Sequence, residues 1–147
     1  MPTASVKKTI SCTKENLIKM VLDIEKYPEF IPWCIGSQIN KIDDKVDTVE
    51  IIAELTIGKS FFKETYKSFI IYKKKLDLIL VTNINGPLKY LDNKWHFKQL
   101  GKESEIDFRI DFELKNKILN LIIAKSFNLG LEKITNAFEK RAIDLFK

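Results

Sequence analysis

Residues 103–114 alternate without a break. Glu103, Glu105, Asp107, Arg109, Asp111 and Glu113 fall on one side, and Ile106, Phe108, Ile110, Phe112 and Leu114 on the other. A period of two this strict belongs to a β-strand with one wet face and one buried face. The segment before it matches. Trp95 and Phe97 point to the buried side, Lys94, His96 and Lys98 to water, and Gly101 turns the hairpin. Lysines of one strand can then face carboxylates of the next.

The rest of the chain supplies partners for that hairpin. In 4–12, Ala4, Val6, Ile10 and Cys12 alternate with Ser5, Lys7, Thr9 and Ser11, and only Lys8 breaks the pattern. Thr13 offers an N-cap to a helix carrying Leu17, Met20, Val21 and Ile24 at helical spacing. This helix is expected to stop before Tyr27-Pro28, because a residue ahead of proline is pushed out of the helical region. A short turn, Pro28 to Ile31, then ends at Pro32. From about 36 to 114 the pattern is strands and hairpins. Val49, Ile51, Ala53, Leu55 and Ile57 share one face, Gly58-Lys59-Ser60 turns, and Lys73-Lys74-Lys75 forms a second tip. Leu76, Leu78 and Leu80 share a face of the following strand, and Asn85-Gly86-Pro87 breaks the run before 88–99.

Residues 117–146 read as one helix, roughly 45 Å long at 1.5 Å per residue. Ile123, Phe127, Leu131, Ile134, Phe138 and Ile143 form its apolar stripe, with Lys117, Lys125, Glu132, Lys133, Glu139 and Lys140 opposite. One strand, short helices, about six antiparallel strands and a long helix make an α+β domain with helices packed on one sheet face.

Composition narrows the function. The 147 residues fit one domain, 1–147, and 45% apolar with 31% charged residues excludes a disordered chain. No stretch approaches the roughly 20 apolar residues that span a bilayer. The start, Met1 to Lys8, has no apolar core of a signal peptide, and Cys12 and Cys34 make no disulfide framework. The expectation is a cytoplasmic protein, with a peripheral place at the inner face of the membrane as an extension of it. Net charge is +5, but 23 of the 25 basic residues are lysine rather than the arginine preferred for base and phosphate contacts. DNA is therefore not an expected partner. Nine lysines against three acids in 56–98 concentrate the excess, and Lys73, Lys74 and Lys75 are the candidate contact with an anionic surface.

Catalytic chemistry is scarce. His96 is the sole histidine, and strand parity turns it outward. Cys34 has no imidazole placed to make it a thiolate. No His/Cys/acid grouping has the spacing of a metal site, and no glycine loop cradles a phosphate. The residues describe a binding module with no catalytic residue and no required cofactor. Tyr27-Pro28-Glu29-Phe30-Ile31-Pro32-Trp33-Cys34 sets three aromatics and two prolines outside any periodic element. That corner is either a rigid cap on the core or the rim of an apolar pocket. Gly86-Pro87-Leu88 is a second such corner.

The segment Asp23-Ile24-Glu25-Lys26-Tyr27-Pro28-Glu29-Phe30-Ile31-Pro32-Trp33-Cys34 resembles the signature of the coenzyme Q-binding and ribosome-association-toxin family, within the START-like polyketide cyclase/dehydrase superfamily. Gly86-Pro87-Leu88 with Leu91 and Trp95-His96-Phe97 is similar to that family's second motif, Asp111-Phe112-Glu113 to its third, and Phe138-Glu139-Lys140-Arg141-Ala142 to the end of its last helix. Leu88 stands where the family pattern has an aromatic. The resemblance implies a helix-grip (START/Bet v-like) fold, with a curved antiparallel sheet of about seven strands around the long C-terminal helix and an apolar tunnel between them. It also implies that ubiquinone or a related isoprenoid binds there, in a carrier or chaperone of respiration. The alternative is a toxin that binds the large ribosomal subunit and blocks subunit association; an oligoketide cyclase/aromatase comes third. The expected ligand contacts are Tyr27, Pro28, Phe30, Pro32, Trp33, Cys34, Gly86, Pro87, Leu88, Trp95, Phe127 and Leu131.

Overall fold

The computed structural model describes residues 3–59 and 62–146, with the side chains of 3, 59, 62, 119 and 122–129 outside the description. Seven strands form one sheet: β1 (Thr3–Ile10), β2 (Cys34–Asp44), β3 (Thr48–Lys59), β4 (Phe62–Lys73), β5 (Leu78–Asn85), β6 (Leu88–Leu100) and β7 (Glu103–Leu114). Their order is β1-β7-β6-β5-β4-β3-β2, and every neighbouring pair is antiparallel. Two α-helices, α1 (Lys14–Leu22) and α2 (Lys117–Phe146), lie on one face, and α2 packs on α1, β1 and β7.

The strict alternation of 103–114 is realised. Ile106, Phe108, Phe112 and Leu114 are buried, as are Trp95 and Phe97 beside them, while His96 is exposed. Lys98 stands opposite Glu105 and His96 opposite Asp107, as cross-strand pairing suggests, but Lys94 faces Arg109 and Asp92 faces Asp111. Arg109 is paired along its own strand with Asp107, at 3.5 Å. An open groove of about 540 Å³ on this outer surface is lined by two acids and two bases, Asp92, Asp111, Lys94 and Arg109, with no net charge.

Three local expectations change. Helix α1 stops at Leu22, because the N–H of Asp23 turns back to the Met20 carbonyl, and a 3-10 turn over Ile24–Glu29 takes in Pro28. In β5 the inward residues are Ile79 and Val81, paired with Trp95 and Asn93; Leu76 precedes the strand and is exposed, and Leu78 and Leu80 lie on the other face. On α2, Ala142 is buried and its neighbour Ile143 is exposed, so the helical stripe ends one residue earlier than hydrophobicity suggests. Lys8, which broke the alternation of β1, does face inward. Its ammonium reaches α2, 3.1 Å from Glu139 and 2.7 Å from the side-chain Oδ1 of Asn136, so a stem laid along apolar surface ends in a polar clamp. Thr13 caps α1 as expected, its hydroxyl accepting from the Asn16 N–H.

Candidate ligand-binding site

The corner between the 3-10 turn and β2 meets the C-terminal half of α2. Tyr27, Phe30 and Phe138 form a triangle of edge-to-face rings with centroids 5.2–6.0 Å apart, and Trp95 joins Phe138 at 5.1 Å. Such geometry sets ring edges against π-faces and stabilises the pairs beyond their buried area. Arg141 lies over the Phe30 ring and donates to Glu29 at 2.9 Å. That hydrogen bond holds the Glu29 carboxyl below the usual glutamate range. The first and last motifs of the sequence are therefore in contact, and Tyr27, Phe30 and Trp95 tie helix to sheet. The Tyr27 phenol donates to the Val21 carbonyl, and burial raises its pKa.

Trp33 occupies a different position. Its backbone has φ 66°, a left-handed conformation that a bulky side chain rarely adopts and that costs about 1–3 kcal/mol. The Gly58 N–H holds its carbonyl at 2.8 Å. The indole lies on α2 at Gly130, where a Cβ would stand 3.4 Å from Cη2, and the Lys133 ammonium is 6.0 Å from the ring centre. Glycine inside a helix is unfavourable by roughly 1 kcal/mol relative to alanine; here it provides a seat for the ring. Pro28 is exposed and Pro32 half-buried on either side of this corner. Cys34 is buried, its thiol donating to the Gly36 carbonyl at 3.6 Å, and burial pushes the thiol up rather than toward a thiolate.

The second corner packs at the other end of the concave face. Gly86 has φ 126°, and a Cβ on it would lie 2.7 Å from Tyr66 Cβ, so the β5–β6 turn presses directly on β4. The Pro87 carbonyl accepts from the Lys115 N–H just ahead of α2. Leu88 is buried with Leu91, Phe112 and Leu114 in a cluster of its own. Among the described residues this cluster is separate from the main core around Leu17, Ile79, Phe97 and Phe138, and Val81 and Ile110 touch both. Leu131 belongs to the main core; the side chain of Phe127 lies outside the described residues.

The structure thus divides the expected contacts. Tyr27, Phe30, Trp95 and Leu131 sit in the main core, Leu88 in the second cluster, and Trp33 against Gly130 between the two ends of α2. Tyr66 and Gly130 carried no sequence signal, since their significance lies only in what approaches them. The lysine tip also looks different in space. Lys74 pairs with Asp44 at 2.8 Å and Lys75 with Asp47 at 3.5 Å, both acids from the neighbouring β2–β3 turn, while Lys73 ends β4 half-buried. Among the described residues no group of three His, Cys, Asp or Glu could hold a metal ion. None of the described helices is long and apolar enough to cross a membrane.

A seven-stranded antiparallel sheet gripping a long C-terminal helix, with aromatic corners at its rim, defines a helix-grip class of domain. Residues 15–139 match the family model described as polyketide cyclase/dehydrase and lipid transport, and the chain belongs to that family. It is 33% identical over 143 residues to a ribosome association toxin of Rickettsia prowazekii, covering 95% of each chain. It is 28% identical to a mitochondrial coenzyme Q-binding protein of Dictyostelium discoideum, covering 98% of this chain and 70% of that one. A START superfamily protein of Mycobacterium smegmatis has the same fold, with a TM-score of 0.81, 18% identity and coverage of 97% and 98%. The fold is therefore START-like, as the sequence resemblance implied.

Proposed function

We propose that this chain binds ubiquinone or a related isoprenoid between the concave sheet face and α2, as a non-enzymatic carrier or chaperone that needs no cofactor. The observation that carries this reading is the aromatic corner of Tyr27, Phe30 and Trp33 set against α2 on the concave side of the sheet, in a chain of the family described as polyketide cyclase/dehydrase and lipid transport. A ligand tail laid between sheet and helix gains roughly 0.8 kcal/mol for each methylene it buries, so few polar contacts are needed. Trp33, strained and seated on Gly130, is placed to hold α2 against the sheet and to move when a ligand enters. A place in the cytoplasm, at the inner face of the membrane, follows from a ligand that partitions into lipid.

Replacing Trp33 with Ala tests the reading. The variant should fold, because the ring lies outside the Phe138 cluster, and should bind a short-tailed ubiquinone about tenfold or more weakly, the loss of one buried aromatic contact. Isothermal titration in mild detergent alongside thermal melts separates the two effects. Unchanged affinity in a folded variant rules out Trp33 as a gate.

The second reading is association with the large ribosomal subunit, favoured by the name of the 33% identical relative. Its natural surface would be the lysine tip. The ion pairs of Lys74 and Lys75 with Asp44 and Asp47 reduce the net charge offered there, which favours the ligand reading. A cyclase would need an acid or base facing its substrate, and the described residues of the two corners are aromatic, aliphatic, cysteine, glycine or proline apart from Glu29 paired with Arg141.

A further inference from the structure

The two halves of α2 differ in what they offer to water. From Glu132 onward the helix charges balance, with Glu132, Glu139 and Asp144 against Lys133, Lys140 and Arg141. Between Glu113 and Glu132 the sequence holds no acid; Lys115, Lys117 and Lys125 stand there among Ile, Leu and Phe. Ile118 is 71% exposed and Leu121 68% exposed, the most open of the large apolar side chains described on α2. Three residues apart on a helix, they share one face.

This pair is held in place. The Asn120 side chain accepts from the Leu114 N–H at 2.9 Å and donates to the Leu114 carbonyl at 3.1 Å, and the Asn116 side chain accepts from the Ile118 N–H. The Lys115 N–H bonds the Pro87 carbonyl, which sets the β5–β6 turn beside the start of α2. Ile84, just before that turn, is a third exposed aliphatic at this end. Lys115 and Lys117 are exposed, and among the described residues neither ammonium pairs with an acid. The tip lysines Lys74 and Lys75 do, and they lie at the far end of β5, roughly 25 Å away. A lysine in the first turn of a helix also opposes the helix dipole, which favours acids there. Neither the aliphatic pair nor the lysines serve the folded chain by itself.

We propose that the first two turns of α2 dock this end of the domain on an anionic bilayer surface, with Ile118 and Leu121 as apolar anchors and Lys115 and Lys117 as their charged flank. The helix lies on the bilayer, since no described helix is long and apolar enough to cross it. Aliphatic side chains enter the acyl boundary while lysine stems run along it and place their ammonium groups among lipid phosphates. Lysine is depleted at protein interfaces and attracted to anionic headgroups, so the acid-free stretch fits a lipid surface better than a protein partner. Docking of this kind needs no bound ligand, so it stands or falls apart from the carrier reading.

The test is sedimentation of the full chain with quinone-free vesicles, either phosphatidylcholine alone or equal parts phosphatidylcholine and phosphatidylglycerol. Wild type should bind the mixed vesicles, and lose binding on the neutral ones and as salt rises. Ile118→Gln with Leu121→Gln should weaken binding to mixed vesicles about tenfold or more, and Lys115→Gln with Lys117→Gln by about as much. The matched change at the other end, Lys74→Gln with Lys75→Gln, should leave it within about twofold. All six sites are on the surface, so melting temperatures should hold. Should a glutamine pair lower the melting temperature, Leu121→Cys carrying an environment-sensitive dye decides: a blue shift on mixed vesicles supports docking, and no shift overturns it. Wild type that ignores the vesicles, an Ile118/Leu121 variant that binds as well as wild type, or an equal loss from the tip variant would each overturn it. So would a chain that ignores vesicles but loses co-sedimentation with large ribosomal subunits when Ile118 and Leu121 are changed, because the face would then meet the ribosome.

Discussion

Phe138→Ala should destabilise the protein by about 3–5 kcal/mol, measured by urea unfolding. Phe138 is 2% exposed and meets the rings of Tyr27, Phe30 and Trp95. Those rings come from the 3-10 turn, the corner after it and the centre of β6, so a single side chain couples α2 to the first corner and to the middle of the sheet. Removing it leaves a cavity bounded by three aromatics that the sheet register prevents from closing. The loss should appear in overall stability, and α2 should exchange amide hydrogens faster than the sheet. A loss below about 1 kcal/mol would show that α2 is held elsewhere.

The second large effect is expected at Gly86. An alanine there must place Cβ 2.7 Å from Tyr66 Cβ and 2.9 Å from Tyr66 Cα, with the backbone at a φ of 126° that L-residues avoid. Neither atom is the far end of a flexible side chain, so the turn or β4 has to shift. Backbone strain alone costs about 1–3 kcal/mol, and the displaced contact adds to it. Gly86→Ala should therefore lower stability by about 2 kcal/mol or more, measured by urea unfolding. Chemical-shift changes in an amide spectrum should centre on β4 and the β5–β6 turn. A variant as stable as wild type would mean that this approach is looser than described.

Much of the architecture was legible because β6 and β7 alternate between a more buried and a more exposed face, which fixes parity and leaves the helices only one place to pack. The order of elements along the chain, the long last helix and the Thr13 cap follow from periodicity and caps, whereas the pairing of β1 with β7 does not. The misreadings came where local hydrophobicity and register disagree. Leu76, Leu78 and Leu80 look like a core face, yet pairing of Ile79 with Trp95 turns their parity outward. Lys8 looks like an error in β1 until Glu139 and Asn136, far along the chain, supply its partners.

The candidate site was legible in part. Aromatics and prolines in 27–34 marked the corner, but only tertiary structure separates Phe30, locked against Phe138, from Trp33, seated on a helical glycine. The lysine tip was read from one hairpin, while the acids that pair with it belong to the next.

The central claim is that the space between sheet and helix holds an isoprenoid ligand. Native mass spectrometry of the chain, gently purified from a quinone-producing host, with organic extraction of the same sample, measures this directly. The account predicts a one-to-one adduct of quinone mass, released into the organic phase and restored by adding ubiquinone. A chain that is empty, takes up no added quinone, and co-sediments with large ribosomal subunits would contradict it.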